Sequence, residues 1–176
     1  MDMNVMFLIG QALGIIAVLI GFVSYQMKTA RMILIIQIIM SVVFCFHYLL
    51  IGATSALALN IFGIICKFIY CYRDKMGFSG KICPVVLAFV MGIAGALSWQ
   101  GYYSLFIIVG LLVNTLFLSS KNAQTIRKSI LFTSPLVIIY NIFVLSIGGI
   151  VYESIAIISA LIGIIRYSKS ARNNLN

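Results

Sequence analysis

In the stretch from Phe44 to Gly63, FCFHYLLIGATSALALNIFG, one histidine and one asparagine stand in otherwise apolar sequence, and a later apolar run carries Glu153. An imidazole can exchange a proton near neutral pH, a carboxamide offers donors and acceptors together, and a carboxylate adds charge. Set in hydrocarbon, such groups must pair with one another or line a path for solute or ions. Counted in helical steps, Gln37, Ser41, Phe44 and Tyr48 share one face with His47 on its flank, which reads as a cavity lining or a helix contact. Asn60 is expected either to bond across helices to His47 or Ser41 or to touch substrate. Glu153, read as three residues into its span and wetted, is a functional candidate or an interfacial end-cap. Lys67 is expected to snorkel to the nearer headgroups. Pro135 breaks the ladder of its helix and is a candidate hinge or a shaper of the pocket.

The elements that position these groups are membrane spans. Hydrophobic residues make up 63% of the chain and charged ones only 9%, too few for a water-facing surface. Runs close to the roughly 20 residues that cross a bilayer recur throughout. Breaks at Gly, Pro and charge clusters give seven spans: Val5–Ser24, Ile33–Ile51, Ser55–Tyr70, Ile82–Leu97, Tyr102–Leu118, Ile130–Ile147 and Val151–Tyr167. The first lacks a preceding basic region and is read as retained, not cleaved. With seven spans, all 12 basic residues fall on one side, and the turns Gly52–Ser55, Ser98–Gly101 and Gly148–Ile150 hold none. The positive-inside rule then puts the amino terminus outside and the carboxyl terminus in the cytoplasm. The net charge of +9 is absorbed by this orientation and by anionic lipid, so nucleic acid is not an expected partner.

The second half repeats the first. Lys28–Arg31 is matched by Gln124–Arg127 and Leu13-Gly14 by Val109-Gly110 at an offset of 96, which shortens to 93 downstream, pairing Arg73 with Arg166. That offset aligns His47 with Tyr140, Tyr48 with Asn141 and Asn60 with Glu153. We expect an all-α, seven-helix transmembrane bundle in which three-helix repeats, 5–73 and 102–168, run parallel and are joined by a linker helix, 82–98. Asn60 and Glu153 would then face one another across a central axis. Gly10 and Gly14 form a GxxxG face for close helix approach, and Trp99, Tyr102 and Tyr103 an outer aromatic belt.

Equipment for catalysis is thin, because there is no HExxH, CxxC or nucleophile elbow. Cys45, Cys66, Cys71 and Cys83 read as small packing groups, and no metal or cofactor is expected. The three-plus-one-plus-three plan resembles the SWEET sugar transporters and the wider MtN3/PQ-loop group. In that group, an asparagine placed like Asn60, after Tyr48, Gly52 and Ala53 and before Ile61-Phe62-Gly63, contacts substrate. More closely, Gln26–Arg31, Gln37, Phe44–Tyr48, Gly52-Ala53, Asn60 and the Arg73 end resemble the YgjV-type bacterial inner membrane proteins. Span one lacks the Pro-Gln pair of the PQ-loop group, and span two lacks its proline. The resemblance implies a transporter of a sugar or another small polar metabolite in a bacterial inner membrane, working by alternating access. Its substrate residues would be Asn60, Glu153, His47, Tyr48, Ser41, Tyr140 and Asn141, with Pro135 as hinge. The alternative is a membrane binding, regulatory or assembly protein without transport. Expected partners are membrane lipids, with a small polar solute and a second copy of the chain as candidates.

Overall fold

The computed structural model describes residues 3–76 and 82–173. Asp2 and most of the expected inter-half loop, Lys81 included, lie outside them, as do the side chains of Arg73, Asp74, Lys169 and Arg172. Seven helices follow in order: α1 Met3–Ser24, α2 Ala30–Ile51, α3 Thr54–Met76, α4 Ile82–Leu97, α5 Ser104–Leu118, α6 Ala123–Phe143 and α7 Ile147–Asn173. Five are long and apolar enough to cross a membrane, while α4 and α5 are shorter apolar helices. The protein is an all-α, seven-helix membrane-spanning bundle.

Local chemistry sets the ends. The hydroxyl of Thr29 accepts from the Met32 N–H at 3.3 Å to start α2, and Asn122 accepts from the Gln124 N–H at 2.8 Å to start α6. Each satisfies an amide that the first helical turn leaves without a partner. Gly52 ends α2 with φ +75°, a left-handed conformation that costs glycine least. The two caps are 93 residues apart, so the longer offset has closed before α2 begins. The expected match of Lys28–Arg31 with Gln124–Arg127 therefore gives way to Thr29 against Asn122.

One turn lies elsewhere than expected. The chain reverses at Val144–Ser146, where Leu145 takes φ 53°, and Gly148 and Gly149 are already helical. These glycines serve close approach instead of reversal. A Cβ on Gly148 would stand 2.6 Å from the Cα of Gly14, and one on Gly149 would stand 2.6 Å from the Asn141 carboxamide. The GxxxG face of α1 thus meets α7 backbone to backbone, and also α2, where a Cβ on Gly10 would stand 3.0 Å from Ile51. The shift makes Glu153 the seventh residue of α7, two turns inside it, and places Pro135 beyond the middle of α6 instead of in its first third.

Packing resolves into two triads. In the first α2 touches α1 and α3, in the second α6 touches α5 and α7, and α1·α7, α3·α5 and α2·α6 contacts join them. The six helices close a ring, with α4 set against α3 and α5. Leu8, Leu19, Phe46, Leu49, Val85 and Phe89 face outward, where hydrocarbon is their natural solvent.

Arg127 is one of the 12 basic residues whose charge is expected to be absorbed by anionic lipid, but it is only 1% exposed. Its Nε donates to Tyr25 O at 3.0 Å, one Nη to Met27 O, and the other to Gln124 Oε1 at 3.0 Å. The guanidinium lies 4.5 Å from the Tyr167 ring centroid, in space that Gly163 leaves open. The carbonyls where α1 ends need donors, and a planar five-donor side chain meets two of them at once.

Candidate functional site

Between the triads lies a cavity of about 70 Å³, and its wall includes Ser41, Tyr48, Asn60, Lys67, Thr133 and Glu153. Asn60 is the seventh residue of α3 as Glu153 is of α7, so the two stand at matching places in their helices, and both line the cavity. Asn60 lines the cavity and makes no side-chain hydrogen bond to any described residue. The serine at position 134 donates its hydroxyl proton to a Glu153 carboxylate oxygen.

Lys67 departs furthest from expectation. It is 7% exposed, and its Nζ donates to Ser41 Oγ at 2.7 Å. A Cβ on Gly63 would lie 3.8 Å from that Nζ, so the side chain runs back along α3 over the glycine and away from the nearer helix end. Snorkelling fails because a hydroxyl within reach gives the ammonium an acceptor in the interior. The signal for this was present in sequence: Gly63 stands one turn before Lys67 on the face of Asn60, leaving a trough for the long side chain.

Ser41 and Ser134 are each the twelfth residue of their helices, α2 and α6. Two matching hydroxyls thus hold charges of opposite sign, each projected by the neighbouring helix of its own triad. The aromatic wall between them is tied together, Gln37 Nε2 donating to Tyr25 Oη at 3.0 Å and Phe44 meeting Tyr152 at 5.1 Å between centroids. Tyr48 donates to Asn141 Oδ1 at 3.4 Å. These two residues are 93 apart, so positions matched by the offset meet directly.

His47, Tyr140 and Asn141 lie outside the cavity wall. The carbonyl of Gly10 can only accept, so His47 Nδ1 donates to it at 2.7 Å and Nε2 accepts from Ser146 Oγ at 2.7 Å. Ser146 Oγ in turn accepts the Gly149 N–H at 3.1 Å. Both ring nitrogens are committed, and the fully buried ring is a pin between α1, α2 and the turn before α7. Tyr140 is the counterpart pin: its Oη donates to Gln100 Oε1 at 3.4 Å and accepts the Ala56 N–H at 3.3 Å. Sequence reasoning overlooked Gln11 and Gln100, which seal the same end. Gln11 donates to Leu145 O at 3.0 Å and accepts from Gly148 N at 3.3 Å, and Gln100 accepts from Ser55 N at 3.2 Å.

Among the described residues no group of three or more His, Cys, Asp or Glu side chains could hold a metal ion. The four cysteines are free thiols. What the arrangement offers is a polar, charge-bearing chamber enclosed by apolar helices, as a multi-pass membrane protein can build. A family model described as bacterial inner membrane protein, of the YgjV type, matches residues 8–171, and the chain belongs to that family. The protein is therefore a multi-pass component of the bacterial inner membrane. No curated protein and no solved structure matches it.

Proposed function

We propose that the protein moves a small polar solute across the inner membrane by alternating access, using the cavity between its triads. The observation that carries this reading is that Asn60 and Glu153, at matching places in α3 and α7, line one cavity. Buried polar groups are costly in a membrane, and a carboxamide and a carboxylate on the wall of one cavity are the kind of expense that a solute path explains. The triads are read as two parallel repeats, 5–73 and 102–168, with 82–98 as linker, in a SWEET-like plan. The ring of helix contacts supports this, since exchanging the triads turns α1·α7 into α5·α3 and α2·α6 into itself. The amino terminus is read as outside, because Lys28, Arg31, Lys121 and Lys128 gather at one end of the bundle.

A cavity of about 70 Å³ has room for a handful of waters, each needing about 10–15 Å³ on this measure. A sugar would need the triads to part, and Pro135, where α6 loses a hydrogen bond, is the proposed place for α6 to flex. The test is reconstitution into liposomes with a panel of sugars, amino acids and small metabolites, comparing wild type with Asn60→Ala and Glu153→Gln. Uptake that depends on wild type and falls in both variants is the expected result. Absence of any such uptake would overturn transport in favour of a binding or assembly role.

A further inference from the structure

The chemistry at the centre of the cavity narrows the solute class. Ser41 and Ser134 lie about 16 Å along their helices from the first residue, near the middle of a hydrocarbon core roughly 30 Å thick. One holds the Lys67 ammonium and the other receives the Glu153 carboxylate, with the cavity between the triads bordered by both. An internal ion pair would satisfy the two charges without any ligand. Instead each is clipped to a hydroxyl on its own side, which leaves capacity unused: the ammonium has three donors and the carboxylate about four acceptor sites. The carboxamide of Asn60 and the Oε1 of Gln37, both on the wall, likewise make no hydrogen bond to described residues.

We propose that this site recognises a small zwitterion, a solute with one carboxylate and one ammonium group, in preference to a neutral sugar. This rests on the transport reading of the same cavity. The solute carboxylate is received by Lys67 and Ser41, the solute ammonium by Glu153, and Asn60 and Gln37 flank the bridge between them. A zwitterion meets both fixed charges while adding no net charge to the bilayer interior. A free carboxylate or a free amine leaves one of them unmet, and a polyol leaves both. The size of the cavity favours the smallest members of the class, of the order of glycine.

The experiment is uptake by the full-length protein in liposomes of labelled glycine, glycerol, acetate and methylammonium, each against protein-free vesicles. Glycine is expected to accumulate and the other three to stay near the background. Lys67→Met and Glu153→Gln are each expected to lower glycine uptake by about tenfold or more, the scale of a lost charged hydrogen bond. Uptake of glycerol equal to that of glycine would overturn the zwitterion assignment and leave transport standing. So would uptake of acetate or methylammonium alone. Movement of none of the four, with uptake of a sugar in the wider panel, would overturn only the assignment, whereas no uptake of any solute would overturn both. Because wild-type selectivity decides, a variant that fails to insert does not blunt the test.

Discussion

Replacing Gly148 with alanine probes the closest contact between the triads. The added Cβ would stand 2.6 Å from Gly14 Cα and 2.9 Å from Gly14 C, both main-chain atoms of α1 that cannot rotate away. Relief requires α1 and α7 to separate, which would stretch the bond from Gly148 N to Gln11 Oε1, already 3.3 Å, and disturb His47, which is bonded to both sides of this contact. Overpacking of this kind costs about 1–3 kcal/mol, or a fall of roughly 2–12 °C in melting temperature for a chain of this length. Gly92→Ala is the control, since its Cβ would meet Leu112 at 3.5 Å, an ordinary contact. The assay is thermal unfolding of purified protein in one detergent, followed by loss of the monodisperse peak. Gly14→Ala should destabilise as well, and the double variant should lose less than the two single losses combined, because the first methyl already opens the interface. If Gly148→Ala melts with the wild type and Gly92→Ala, the backbone contact between α1 and α7 is wrong, and the turn belongs at Gly148–Ile150 after all.

Arg127→Met leaves the carbonyls of Tyr25 and Met27 without donors, and melting is expected to fall by more than for Gly148→Ala, as hydrogen bonds to a charged group contribute about 1.5–3 kcal/mol each. Arg127→Lys should recover only part of that loss, since a single ammonium cannot reproduce the fork. Gly52→Ala meets no atom within 4 Å, so its cost of about 1–2 kcal/mol comes from the backbone alone; Gly52→Asn should be milder and Gly52→Val worse in the same melt. Pro135→Ala restores a backbone donor to α6. If Pro135 is the hinge, the variant should melt higher yet move solute more slowly, and unchanged uptake would reduce the proline to shaping the wall.

The number of helices and their approximate places were legible because hydropathy and charge act over whole spans, and every connection between helices is short or charged. The cavity was legible through Asn60 and Glu153, whose matched places came from the offset of 93. Gly148-Gly149 misled because a glycine pair marks equally a turn or a helix pressed against another backbone, and only the partner, Gly14, decides. Lys67 and Arg127 misled for a related reason. Position predicts that a cation near a span end reaches for headgroups, whereas the outcome depends on whether an acceptor is nearer, and Ser41 and Tyr25 are distant in sequence. His47 and Tyr140 stand at the same place in α2 and α6, but such a match does not say which way a side chain is committed.

On the transport reading, those two pins bear on which end of the cavity opens. His47 and Tyr140 occupy the same place, eighteenth, in α2 and α6, and each reaches from its own triad to the other, His47 to Ser146 and Tyr140 to the Ala56 N–H. The ties at this end are bonds between neutral groups, two of them long at 3.3 and 3.4 Å. The opposite end is tied by Arg127, whose guanidinium bonds to two α1-end carbonyls and would lose charged hydrogen bonds on separation. Opening at the His47–Tyr140 end therefore costs less, and in the orientation proposed from the charge distribution this is the outer end. Tyr140→Phe should make it cheaper still: hydrogen exchange at Ala56 and the first turn of α3 should speed up, while the segment around Tyr25 and Met27 keeps its protection. Equal acceleration at both ends would mean that the pins do not act separately, and that the triads part as a whole or not at all.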